Sequence, residues 1–217
     1  MASFDLSRFV LELSIWALPT LFSIVLHEVM HGVVAQRLGD DTAQRAGRLT
    51  LNPLSHIDPF GTVVLPILLM AVHLPVFGYA KPVPVDFRRL RNPRRDMVAV
   101  AVAGPLTNLV LATLSGIGAR YLAAQLGPDS PRAVVVPLIL MLRASVIVNV
   151  ALGIFNLFPL LPLDGGRVLV GLLPLSLARK FARLEPYGLL LLFVLLYTDF
   201  FTRVINPIIG AVTRILL

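Results

Sequence analysis

The chain has 217 residues, 57% hydrophobic and 14% charged, against roughly 25% charged in soluble domains, and its mean hydropathy is +0.84. That composition excludes an ordinary soluble protein and predicts an all-α polytopic membrane protein whose length accommodates one domain, residues 1–217, and no separate soluble module. The absence of cysteine excludes disulfides and thiolate metal ligands, and the net charge of +7 sits in loops between apolar runs, a pattern of membrane orientation and anionic-lipid contact instead of nucleic-acid binding.

The first apolar run, Phe9 to Leu26, carries one charge, and Val33, Val34 and Ala35 extend it past His27-Glu28-Val29-Met30-His31. Ionisable groups near the bilayer centre cost about 2.5–3.5 kcal/mol each, so they are rare unless used together. On a helix, positions i and i+4 share a face about one turn apart, so His27 and His31 can present two imidazoles to one ion. Glu28 lies on the adjacent face, within reach of a water beside that ion, as the two-histidine zinc peptidase pattern requires. The competing explanation is a pair of buried histidines satisfied by backbone or water. Because the run contains these residues, it is read as a retained span and not as a cleavable signal peptide.

Ala46 to Pro53 alternates enough to predict a short β-strand, a possible peptide-binding edge. His56 and Asp58 follow in a stretch of turn formers and are read as loop stabilisers before metal ligands. Gly61 to Tyr79 is apolar but interrupted by Pro66, His73 and Pro75. Basic residues on both sides of it (Arg37, Arg45 and Arg48, then Lys81, Arg88, Arg89, Arg91, Arg94 and Arg95) predict that it enters and leaves on one side, as a re-entrant element. Met97 to Ala119 is a charge-free span, and Ala133 to Leu163 is apolar apart from Arg143. Two shorter runs, Tyr187 to Thr198 and Val204 to Leu217, bring the expected total to about four to six spans, with Asp199 and Arg203 spaced to pair. The loops holding Lys81–Arg95 and Arg167–Arg183 should be cytoplasmic, so the third run points outward and the fourth inward, and Arg37, Arg45 and Arg48 after His31 make the first run point inward as well.

A catalytic zinc needs a third protein ligand, and Asp164 fits, at the inner end of the fourth run with Gly165-Gly166 behind it. Taken together, HEVMH in the first run, Gly104-Pro105-Leu106-Thr107-Asn108 in a later span, and Asn156-Leu-Phe-Pro-Leu-Leu-Pro-Leu-Asp164-Gly-Gly resemble the site-2 protease family, the intramembrane zinc metalloproteases of peptidase family M50. His56-Ile-Asp-Pro-Phe-Gly-Thr62 and Ala80-Lys-Pro-Val-Pro84 resemble its compact bacterial branch, without PDZ or CBS domains. The resemblance implies that His27, His31 and Asp164 bind one zinc per chain, that Glu28 is catalytic, and that Asn156 lies near the bound peptide or oxyanion. Asn108 is read either as interhelical hydrogen-bonding glue or as a second substrate or oxyanion contact.

The expected activity is hydrolysis of peptide bonds within or near the transmembrane segments of membrane-protein substrates in the cell membrane, from a site facing the cytoplasmic side. A zinc-dependent transporter or non-catalytic metal-binding membrane protein is the alternative, since intramembrane His and Asp also serve ion pathways. Glu28 separates the two, because transport needs no general base beside two ligands.

Overall fold

The computed structural model describes residues 6–72 and 78–217. Its elements are α1 (Leu6–Arg37), α2 (Thr42–Arg45), a 3-10 turn (Pro53–His56), a wide π-type turn (Pro59–Val64) running into α3 (Leu65–Ala71), then α4 (Pro93–Ala124), α5 (Arg132–Asn156), α6 (Asp164–Leu172), α7 (Leu175–Ala182), α8 (Glu185–Tyr197) and α9 (Asn206–Leu216). Among the described residues, three helices, α1, α4 and α5, have the length and apolarity to cross a membrane. The pair α8 and Phe201–Leu216 is bent by 73° and makes a fourth candidate if counted as one span, at the lower end of the expected four to six.

α4 is the central helix. It packs against α1, α5 and α6, and its small residues Ala101, Gly104, Ala112 and Gly116 are buried, which lets neighbouring backbones approach closely. His31 meets Val100 while His27 meets Asn108, so α1 and α4 run antiparallel. Ser115 meets Ser145 while Asn108 meets Asn149, so α4 and α5 do too. The alternation of direction matches the one predicted from the loop charges.

The predicted strand at Ala46 to Pro53 is absent; the described residues contain no strand. Its backbone groups are satisfied locally: Arg48 N donates to Ala43 O, Asn52 N to the Thr50 hydroxyl, and Leu54 N to the Asn52 side chain. With Pro53 opening a 3-10 turn, no ladder forms. Gly61 to Tyr79 brings its two ends together, Tyr79 N donating to Gly61 O at 3.1 Å and the Thr62 hydroxyl to Tyr79 O at 2.9 Å. His73 lies outside the described residues. His56 and Asp58 have the expected loop roles: His56 Nε2 donates to Thr50 O at 2.9 Å, and Asp58 caps the following turn through Gly61 N at 2.7 Å.

The extended segment after Tyr79 is pinned to the last third of α1 and to the turn that follows it. Val83 N donates to Glu28 Oε2 at 2.8 Å, Asp86 N to the fully buried Asp40 at 2.7 Å, and Arg91 N to Leu38 O at 3.0 Å. Arg48 reaches over it to Lys81 O at 2.8 Å. At the far end of α4, Arg120 donates to the carbonyls of Ile215 and Leu216 and holds α9. Asp199 and Arg203 pair at 2.7 Å, as their spacing predicts, and Arg143 is exposed on α5.

Candidate active site

His27 and His31 sit one turn apart on the face of α1 that meets α4. His27 Nδ1 lies 2.6 Å from Asn108 Oδ1, and His31 Nδ1 lies 2.7 Å from Val100 O. A backbone carbonyl only accepts, so the His31 proton is on Nδ1, and the Asn108 oxygen imposes the same tautomer on His27. Both Nε2 lone pairs are thereby left facing inward, 3.1 Å apart.

Asp164 completes the group. It is the first residue of α6, where a carboxylate is favoured by the helix dipole. Its Oδ2 stands 3.1 Å from His27 Nε2 and 3.3 Å from His31 Nε2. That oxygen is buried and has no hydrogen-bond partner, which fits two imidazoles that have no proton to offer it. The two glycines after Asp164 serve close approach: a Cβ on Gly165 would meet Phe158 O at 2.5 Å, and one on Gly166 would meet Leu161 N at 2.5 Å. Larger residues would push α6 off the Phe158–Leu161 turn and withdraw the carboxylate.

Three lone-pair atoms in mutual contact repel one another unless a cation lies between them. Ligands about 2.0–2.1 Å from a tetrahedral zinc stand about 3.3–3.4 Å from each other, close to the observed 3.1, 3.1 and 3.3 Å. Opposite them is Gly104, where a Cβ would stand 2.6 Å from His27 Cε1 and 2.7 Å from His27 Nε2 and would also overlap His31 Nε2. The donor set, its spacing and this bare backbone wall fit zinc. Among the described residues, these three form the only His/Cys/Asp/Glu group so arranged.

Glu28 and His27 open into a cavity of about 750 Å³ walled by α1, residues 78–82, the end of α5, α8 and α9. Its lining is mostly apolar, with Leu152, Phe155, Leu189 and Leu192 among the contributors, and Asn156 is on its wall. Asn156 Nδ2 donates to Leu152 O at 3.1 Å on its own helix. Asn108 is instead fully buried behind His27, its amide donating to Ser23 O and to Asn149 Oδ1. Sequence reasoning did not single out the Val100 carbonyl or Asn149, and it gave Gly104 no role in the site. The nearest signal was Gly104–Asn108 itself, a small residue and an amide on a charge-free span.

Peptidase family M50 matches residues 130–197. Two relatives are both named "Putative zinc metalloprotease": YwhC of Bacillus subtilis is 39% identical over 189 residues, covering 87% of this chain and 83% of its own, and Rip2 of Mycolicibacterium smegmatis is 32% identical over 197 residues, covering 90% and 70%. The chain belongs to peptidase family M50. No solved structure matches it. Membership makes this M50 chain a metalloprotease of the site-2 type, and the YwhC match extends well beyond the segment the family matches directly. The transporter alternative is not favoured.

Proposed function

We propose that the chain hydrolyses peptide bonds in or beside the transmembrane segments of membrane-protein substrates, with His27, His31 and Asp164 holding one zinc and Glu28 as general base. The observation that carries this reading is the meeting of the His27, His31 and Asp164 ligand atoms beside an apolar cavity that His27 and Glu28 line. Zinc, when bound, acidifies water and polarises the scissile carbonyl. Glu28 takes the proton of the attacking water and passes it to the leaving amine. Val83 N–H holds Oε2 of Glu28 and fixes the direction of the carboxylate. Asn156 contributes a polar contact for the extended peptide or the oxyanion.

The cavity favours apolar side chains, and the catalytic group needs an extended peptide. A helical substrate hides its carbonyls in i to i−4 bonds and must unwind to be cut, so Gly, Pro or Asn near the cleavage point favours hydrolysis. Basic side chains gather at the end of the bundle nearer the site: Arg94 reaches Gly171 O, and Arg167 stacks on Phe87 at 5.2 Å and pairs with Glu185 at 3.2 Å. This charge supports a cytoplasmic-facing site in the cell membrane, with Gly61 to Tyr79 re-entrant from that side and residues 1–217 acting as one domain. The test is co-expression with single-span reporters and mapping of the cut by mass spectrometry. Cuts within or next to the span, enhanced by a helix-breaking residue, support the reading; cuts confined to distant extramembrane domains contradict it.

A further inference from the structure

Behind His27, a line of buried polar groups crosses from α1 through α4 to α5. His27 Nδ1 meets Asn108 Oδ1 at 2.6 Å, Asn108 Nδ2 donates to Asn149 Oδ1 at 2.8 Å, and Asn149 Nδ2 donates to the Ser145 carbonyl at 2.9 Å and hydroxyl at 3.1 Å. The Ser145 hydroxyl in turn meets that of Ser115 at 2.8 Å. Asn108 and Asn149 are 0% and 1% exposed, so neither amide has water as an alternative partner.

The direction of this line is set at its far end. The Ser145 carbonyl only accepts, so Asn149 turns its NH2 toward it and presents Oδ1 to Asn108. Asn108 must answer with its own NH2, whose second hydrogen goes to Ser23 O at 3.2 Å. Its Oδ1 is then committed to His27, which carries its proton on Nδ1 and offers the Nε2 lone pair to the metal. Such outer partners fix ligand tautomer and orientation, and their loss typically costs roughly 10–100-fold in metal affinity.

We infer that Asn149 on α5 is a positioning residue for the metal site: it orients the Asn108 amide and so holds His27 in its metal-binding tautomer. This rests on the reading of His27 as a zinc ligand. Asn149 touches neither metal nor substrate.

The test measures zinc affinity of the purified full chain in detergent by competition with a chromophoric chelator. Wild type and His27→Ala calibrate it: if His27→Ala binds as wild type does, the ligand assignment fails, independently of Asn149. Asn149→Leu fills the side-chain volume and Asn149→Ala opens it, so a loss shared by both comes from the missing acceptor and not from shape. If the leucine variant does not fold, the alanine variant carries the measurement. The expected weakening is about tenfold, at the lower end of that range, because Ser23 O still accepts one amide hydrogen. Asn108→Asp supplies a side chain that accepts from His27 without needing to be oriented. Adding it to Asn149→Leu or Asn149→Ala should return affinity to that of Asn108→Asp alone. Unchanged affinity in the folded Asn149 variants, or no rescue by Asn108→Asp, overturns the inference.

Discussion

Gly104→Ala is the smallest change that tests the metal centre. The added methyl would stand 2.7 Å from His27 Nε2, about 0.7 Å short of the 3.4 Å at which ordinary contact begins. Metal–ligand distances tolerate about ±0.2 Å, so the imidazoles cannot yield that far and still converge with Asp164. If α4 retreats instead, it strains the bonds from Asn108 to His27 and from Val100 O to His31, and such overpacking costs about 1–3 kcal/mol. Drawn from metal binding, that cost corresponds to a fall in zinc affinity of about 5- to 150-fold, with cleavage falling in parallel. Metal content after purification, chelator competition and thermal unfolding in detergent separate the two routes. A Gly104→Ala protein that holds zinc as tightly as wild type and cleaves normally would refute the geometry assigned to this wall.

Asp164→Ala removes the proposed third ligand and should purify with little zinc; undiminished metal in a folded protein means another residue is the ligand. Gly165→Ala should push α6 from the Phe158 carbonyl, lowering both stability and zinc content, and a neutral effect on both would show that the close approach is dispensable. A strong chelator should abolish cleavage, with activity returning on addition of zinc; activity that persists in metal-free protein argues against a metallopeptidase.

Much of the site was legible because its residues sit at short, fixed spacings. His27 and His31 are paired by the pitch of one helix, and Asp164 is marked by an apolar run ending in glycines. What escaped depends on how helices meet. Gly104 and the Val100 carbonyl reach the histidines only through the antiparallel register of α4 on α1, and Asn149 enters through the register of α5 on α4; Asn108 was legible as interhelical glue, but its partner His27 was not. The strand expected at Ala46 to Pro53 has extended-favouring residues but, among the described residues, no neighbouring strand; the Thr50 hydroxyl takes the Asn52 amide, and the Asn52 side chain opens the following turn through Leu54 N. Positive charge predicts that Gly61 to Tyr79 begins and ends on one side of the membrane; the bond from Tyr79 N to Gly61 O brings its two ends together, in keeping with that reading, while loop charge says nothing of the conformation between them.

Glu28→Gln most directly tests the central claim, since it preserves size and the acceptor for Val83 N–H while removing the base. Zinc content and cleavage of a membrane-embedded reporter should be measured on the same purified sample. The account predicts zinc equal to wild type and cleavage reduced by at least about 100-fold, the lower end of what a general base contributes. Cleavage at the wild-type rate with zinc bound would contradict it.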